Sequence, residues 1–201
     1  MILATDLASE ALSGLASALR QPVHIAALLA LAVLAFELGR LATEAWRRVR
    51  PGAPTLEQVA LQAMNDPAQA PALARAATGP LSERAVLELA DAGDPAAVEN
   101  ALAHYELQIQ RRLDRTRMLV RAGPALGLMG TLIPLAPGLS ALGDGDFTKL
   151  AGDLKTAFAA TVVGILVGTG AFAMTLVRTR VYTEDLAGLE RAVAARGALS
   201  T

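Results

Sequence analysis

Two threonines set within long apolar runs are the side chains of this sequence best suited to ion chemistry. Thr131 lies in the run 119–142, and Thr161 lies in the run 157–177. A threonine hydroxyl donates and accepts hydrogen bonds without carrying a charge. It either bonds back to a carbonyl one turn earlier in its own helix or offers itself to water or to a carboxylic acid on another helix. The sequence leaves both uses open.

A third candidate is Glu37, an acid near the polar end of the apolar stretch that begins at Pro22. An ionisable group inside a membrane span is a candidate proton carrier. The alternative is a structural role, in which the carboxylate reaches the headgroup region and pairs with Arg40 at i+3. Glu37 is therefore a candidate intramembrane acid with two open interpretations.

Other kinds of site find little support in the residue types. The sequence has no cysteine, and its only two histidines, His24 and His104, lie in different segments. We therefore expect no zinc or thiolate site, no nucleophile paired with a base, no cofactor and no enzyme activity. The net charge of -1 gives no basic excess that would indicate nucleic-acid binding.

The composition indicates a membrane protein. Hydrophobic residues make up 53% of the chain and charged residues 18%, with a mean hydropathy of +0.41, whereas a typical soluble domain has about 25% charged residues. Three apolar stretches are long enough to cross a bilayer, which takes about 20 residues of helix. The predicted fold class is an all-α integral membrane protein with three transmembrane helices.

Pro22 and Trp46 mark the two ends of the first predicted span. We expect Pro22 to open it, and Trp46 lies where an interfacial aromatic residue belongs. A cleaved signal peptide is the alternative for the N-terminal segment, but a basic start is missing there. The predicted segments are an external amphipathic helix over 1–20, the first span over 21–46, a cytoplasmic helical segment over 47–117, the second span over 118–142, an external loop over 143–155, the third span over 156–177 and a cytoplasmic tail over 178–201.

The arginines predict the orientation. They cluster after the first span, before the second and after the third, whereas the other connections are acidic. By the positive-inside rule, the N-terminus lies outside and the long segment between the first two spans is cytoplasmic. Prolines divide that segment into predicted helices over 56–64, 81–92 and 95–117, with Thr55, Ser82 and Asp94 as candidate capping residues. The last of these helices is expected to continue unbroken into the second span.

Small residues form one face on each of the last two spans. Gly123, Gly127 and Gly130 share a face of the second span with Thr131, and Gly164 and Gly168 form a G-x-x-x-G pair on the third. Such faces let helix backbones pack closely, so we predict that these glycines are packing residues.

The motifs G-L-x-G-T at 127–131 and A-x-x-A-T-x-x-G at 157–164 resemble those of the MotA/TolQ/ExbB proton-channel family. The layout of three spans is closest to the TolQ/ExbB branch. The resemblance implies an inner-membrane energy-transducing motor subunit, in some branches linked to protein transport. It also implies a pentameric ring around a single-span ExbD/TolR/MotB-like partner with an ionisable aspartate. Thr131 and Thr161 would then line the pore beside that aspartate.

One departure from the family pattern leaves the coupling ion open. Thr156, beside Lys155, stands where the family commonly has a glutamate, so the sequence does not decide between protons and sodium. Other functions also remain open. The chain could be a nonconducting membrane scaffold whose cytoplasmic helices bind a soluble partner. A transporter subunit is less favoured, because no span is broken in the repeated manner of inverted halves.

Overall fold

Helices account for every regular element in the described part of the chain. A computed structural model describes residues 2–49, 54–77 and 79–199, and within these ranges it contains no strand. The elements are α1 (Ile2–Val49), α2 (Leu56–Asn65), α3 (Ala70–Ala74), α4 (Pro80–Asp91), α5 (Pro95–Gly143) and α6 (Phe147–Leu199). The predicted all-α class is confirmed.

Three of these helices are long and apolar enough to cross a membrane. The candidate spans lie within Ser17–Val49 of α1, Pro95–Gly143 of α5 and Phe147–Ala198 of α6. A helix satisfies its backbone donors and acceptors internally, which is what a segment in contact with lipid requires. The prediction of three spans, and of an unbroken helix leading into the second, is confirmed.

The prediction that Pro22 opens a helix is wrong. Pro22 lies inside α1, so the predicted segments 1–20 and 21–46 belong to one helix. A proline inside a helix removes one backbone donor and clashes with the preceding turn, but neighbouring helices and local adjustment make this tolerable in membrane spans. Within the predicted amphipathic helix 1–20, the side chains of residues 1–10, 12, 13 and 16 lie outside the described part of the chain.

The connection between α5 and α6 is much shorter than the predicted loop 143–155, because α6 begins at Phe147. Gly145 has φ +77°, a left-handed conformation that glycine adopts without strain. Asp146 Oδ1 then accepts a hydrogen bond from the Lys149 amide at 2.9 Å, which caps the new helix. Charged residues that suggested a loop therefore form the first turns of α6.

Helix starts in the segment between α1 and α5 follow the expected caps in two of three cases. Thr55 forms a capping box with Gln58, and Asp94 Oδ1 accepts from the Ala97 amide at 2.6 Å. Ser82 is not a cap. Helix α4 already begins at Pro80, whose fixed φ suits the first helical position, and Ser82 is buried in the following turn.

The chain divides into two units, and α1, α5 and α6 each contribute to both. Unit 1 comprises Met1–Glu37 and Arg117–Ala173, and unit 2 comprises Leu38–Thr116 and Met174–Thr201. Unit 1 therefore contains the apolar parts of the three long helices, and unit 2 contains α2, α3 and α4.

The last part of α6, predicted to be a tail, belongs to the core of unit 2. Leu189 and Ala192 are fully buried, and they share one apolar cluster with Met64, Val86 and Leu89. Burial of a leucine side chain stabilises a fold by about 1.5–3 kcal/mol. Residues 178–199 are therefore structural rather than a free extension.

Candidate functional site

Helices α5 and α6 meet in unit 1 along their small residues. A Cβ added to Gly123 would lie 2.7 Å from the Gly168 backbone nitrogen, one added to Gly127 would lie 3.2 Å from the Gly164 Cα, and one added to Gly130 would lie 2.5 Å from the Ala160 Cβ. As residue numbers rise on α5, their partners' numbers fall on α6. The two helices are therefore antiparallel neighbours, and all five glycines lie in the contact.

The register of this contact places Thr131 opposite Thr161. Pro124 of α5 packs at Gly168 of α6, since a Cβ there would lie 2.8 Å from the Pro124 Cδ. Seven residues are close to two helical turns. Moving seven residues forward on α5 and seven back on α6 leads from this pair to Thr131 and Thr161, which therefore occupy equivalent positions two turns away.

Both threonines also project to the same side of the helix pair. Each follows a contact residue, Gly130 on α5 and Ala160 on α6. Because the two right-handed helices run in opposite directions, the residue after a contact residue turns to the same side on both. Leu128 and Ile165 follow contact residues in the same way and are 60% and 55% exposed. We call Leu128, Thr131, Thr161 and Ile165 the threonine face.

Helix α1 lies on the other side of the pair. Gly170 precedes Ala171, which is two turns beyond the contact residue Gly164. A Cβ at Gly170 would lie 2.9 Å from the Leu34 Cδ2 of α1. Among the side chains that the structure describes, none is seen to cover the threonine face, whereas the opposite side is occupied by α1.

The hydroxyls of the two threonines donate to their own helices. Thr131 Oγ1 donates to the Leu128 carbonyl at 2.7 Å, and Thr161 Oγ1 donates to the Ala157 carbonyl at 3.3 Å. A hydroxyl has a single proton and two lone pairs. Each oxygen therefore remains available as an acceptor, for a protonated carboxylic acid or for a cation.

The candidate acid Glu37 lies on α1 and is half-buried. It takes part in a polar or electrostatic contact within the described chain. Because α1 packs on the side opposite to the threonine face, the structure does not bring Glu37 together with the two threonines.

A buried polar cluster in unit 2 was not predicted. Arg48 donates two hydrogen bonds to Asp185, at 2.8 and 2.5 Å, and the hydroxyls of Ser82 and Tyr105 lie 3.5 Å from the same carboxylate. The Asp185 side chain is only 5% exposed. This carboxylate therefore joins the end of α1 to α4, α5 and α6, and only the apolar residues that flank it hinted at its burial.

The cluster shifts the proton affinities of its members. Burial raises the pKa of the Tyr105 phenol far above its ordinary value, and the charge of Asp185 acts in the same direction. Burial alone would lower the pKa of Arg48, but the hydrogen bond to Asp185 and the charge of that carboxylate outweigh it and raise the pKa. Both groups are thus held in their protonated forms.

No group of three or more histidine, aspartate or glutamate side chains is placed to hold a metal ion in the part of the chain that the structure describes. The candidate site is the threonine face, whose chemistry is that of neutral oxygen acceptors.

A comparison with protein families gives one match. The model described as the MotA/TolQ/ExbB proton channel family matches residues 68–187, more than half of the 201 residues. The matched region includes the contact between α5 and α6 and both threonines. No curated protein and no solved structure matches the chain.

Proposed function

Because this chain belongs to the MotA/TolQ/ExbB proton channel family, we propose that it is the ring-forming subunit of a proton-driven motor in the inner membrane. In this proposal, copies of the chain, five by resemblance, surround a single-span partner whose helix carries an ionisable aspartate. The N-terminus and the α5–α6 connection lie outside, as the distribution of arginines favours.

The observation that carries the proposal is the threonine face. Thr131 and Thr161 lie opposite each other on the uncovered side of the α5–α6 pair, and both donate their hydroxyl protons to their own backbone. The oxygens are thus set to accept a hydrogen bond from a protonated carboxylic acid. A carboxylate needs donors instead, so loss of the proton weakens the fit unless the hydroxyls turn away from their carbonyls.

Because the two protonation states fit the threonines differently, the position of the partner's aspartate depends on whether that aspartate is protonated. A neutral acid is held beside the threonines, and a charged one is released toward another site because burial penalises the charge. A neutral hydroxyl also adds no fixed charge that would trap the proton. The same oxygens suit a sodium ion, but the family is described as a proton channel family, which favours a proton carried by the partner.

The second candidate function is a nonconducting membrane scaffold. The intrahelical hydrogen bonds of Thr131 and Thr161 favour it, because they satisfy both hydroxyls without any partner. In that case the threonine face contacts lipid or a neighbouring copy of the same chain, and no aspartate-bearing helix approaches it.

Site-specific photocrosslinking separates the two functions. A photoreactive residue is introduced at Ile165, on the threonine face, or at Leu166, which is equally exposed at 55% but turned toward the other side of α6. The full-length chain is expressed in a membrane together with a single-span protein that carries an intramembrane aspartate. We expect that protein to be captured from Ile165 and not from Leu166.

Equal capture from both positions, or capture of only further copies of the chain from Ile165, would contradict the proposal and support the scaffold. Mass spectrometry of the crosslinked peptides identifies what was captured. Proton flux into vesicles that contain the captured complex then tests conduction.

A further inference from the structure

A groove in unit 2 runs between the start of α5 and the end of α6. Its volume is about 580 Å³, and Met64 of α2, itself only 2% exposed, contributes to its floor. The α5 side consists of Pro95, Val98, Glu99 and Leu102. These residues recur at i, i+3, i+4 and i+7, so they share one helix face. At a rise of 1.5 Å per residue, this face is about 10 Å long, or two helical turns.

Helix α6 forms the other side of the groove. It contributes Val193, Arg196 and Gly197, which lie at i, i+3 and i+4. A Cβ added to Gly197, or to Gly93 in the connection between α4 and α5, would meet nothing within 4 Å. These glycines therefore leave open space at the groove. Because one face of each of two helices forms its walls, the groove suits a third helix that lays an apolar face between them.

The walls of the groove present apolar side chains that this unit covers only in part. Val98, Leu102 and Val193 pack against the buried core cluster of unit 2 but are themselves only partly buried. Covering the rest of these side chains removes apolar surface from water, which favours the binding of an apolar partner surface. The groove therefore offers a place for apolar residues of a partner.

The charge around the groove distinguishes between possible partners. Residues 85–110 contain five acidic residues and no lysine or arginine. Asp94 and Glu99 line the groove and are exposed, and Arg196 is the one base among the described residues that line it. Two further acids, Glu88 and Asp91, line a second recess on α4. A basic partner is therefore favoured, whereas an acidic peptide, a fatty acid or an anionic lipid surface would be repelled.

We propose that this groove binds a basic amphipathic helix of a protein partner. The apolar residues of that helix lie on Val98, Leu102 and Val193, and its lysines or arginines lie beside Asp94 and Glu99. A second copy of the chain bound groove to groove is disfavoured, because a two-fold contact would bring the acidic residues of both copies together. Every residue that lines the groove belongs to unit 2, whereas the threonine face lies in unit 1, so the inference does not rest on the proposed function.

Photocrosslinking with synthetic peptides tests the groove. The probe has about 15 residues, with leucines at i, i+3, i+4 and i+7, lysines elsewhere and a photoreactive residue in place of one leucine. A matched peptide carries glutamates instead of lysines. Both are added to the full-length protein in nanodiscs of zwitterionic lipid, and empty nanodiscs measure binding to lipid alone. We expect the lysine peptide to crosslink within residues 92–102 and 193–197, and the glutamate peptide to bind about tenfold more weakly.

Three substitutions relate this binding to the groove. Val98→Asp places a charge in the apolar wall and should abolish crosslinking there, with thermal unfolding measured alongside because Val98 also packs against the core. Glu99 is exposed, so Glu99→Lys should leave the fold intact. It should weaken binding of the lysine peptide about fivefold and strengthen that of the glutamate peptide. A general disruption of the fold would weaken both.

Glu106→Lys is the matched control, because it makes the same change of charge at an exposed position of α5 that does not line the groove. At about 0.15 M salt, charges more than about 8 Å apart are largely screened. Binding of both peptides to this variant should therefore match that of the wild type.

Three results would overturn the proposal. The first is crosslinking of the lysine peptide mainly outside the groove. The second is equal binding of the two peptides to the wild type, or unchanged binding in both Val98→Asp and Glu99→Lys. The third is an oligomer that, in native mass spectrometry, dissociates in Val98→Asp although the variant remains folded, since the groove would then be occupied by a second copy of the chain.

Discussion

Gly164 of α6 lies against Gly127 of α5 so closely that a Cβ at Gly164 would sit 2.6 Å from the Gly127 Cα. Gly164→Ala must therefore push the two helix backbones apart. We expect it to destabilise unit 1 by about 1–3 kcal/mol, as overpacking of a tight contact does. The measurement is thermal unfolding in nanodiscs.

Gly152→Ala on the same helix is the matched control, because a Cβ at Gly152 meets nothing within 4 Å. It should be neutral or slightly stabilising. If both variants unfolded at the same temperature, the close packing of α5 on α6 would be contradicted.

The second prediction concerns the oxygen of Thr161. Thr161→Val keeps the shape but removes the acceptor, so we expect the oligomer to form while proton flux with the partner falls about tenfold or more, the cost of one hydrogen bond to an ionisable group. Thr161→Ser restores the oxygen and should restore most of the flux. Vesicle acidification measures the proton flux, and native mass spectrometry measures oligomer formation.

Thr179→Val is the control, because Thr179 also donates to a carbonyl in its own helix, that of Thr175 at 2.8 Å, but belongs to unit 2. Its flux should match that of the wild type. Undiminished flux in Thr161→Val would refute the role of Thr161, and failure of its oligomer to form would make it a packing residue.

The third prediction is that Asp185 anchors unit 2. Asp185→Asn removes the charge that Arg48 requires while Arg48 stays partly buried, so we expect a loss of about 3 kcal/mol in the free energy of unfolding. Hydrogen exchange of α2 and α4 in nanodiscs measures it. The neighbouring Glu184→Gln breaks only an exposed pair with Arg180 and should cost less than about 0.5 kcal/mol. Similar protection factors in both variants would show that the buried pair contributes little.

The fourth prediction concerns alkaline pH. Burial raises the pKa of Tyr105 and of Tyr182, whereas a phenol in the unfolded chain ionises near pH 10. Above about pH 10 the unfolded state therefore binds fewer protons than the folded state, and the free energy of unfolding falls as pH rises, by about 1.4 kcal/mol per pH unit for each such tyrosine.

Ultraviolet titration of the two phenols, with unfolding curves at several pH values, checks this slope. Tyr105→Phe cannot ionise and should make the slope shallower. A phenol that titrates near pH 10 in the folded protein would contradict the burial described for it.

The sequence predicted the parts of the fold that depend on local pattern. Apolar length predicted the three spans, and the small-residue periodicity singled out the glycines of the α5–α6 contact. Thr55 and Asp94 marked helix starts because capping depends only on neighbouring residues. The threonines were recognised, but their opposition across the helix pair needed the register, which no single segment contains.

The missed features depend on contacts between distant residues. Arg20 lies in the predicted external helix 1–20 and Asp153 in the predicted loop 143–155, yet these two residues, 133 positions apart, pair in unit 1. Residues 178–199 looked like a tail because their apolar positions have no partner until α2 and α4 are folded beside them. Asp146 lies within the predicted loop 143–155, although its side chain caps α6.

The three-residue connection from Asp144 to Asp146 has a kinetic consequence. Closing so short a loop costs little entropy, and the contacts nearest it join residues close in sequence. The α5–α6 hairpin should therefore assemble early and as one piece, in a single insertion event. Helix α1, which meets its partners only across a long separation in the chain, would dock afterwards onto a hairpin whose uncovered face is already formed.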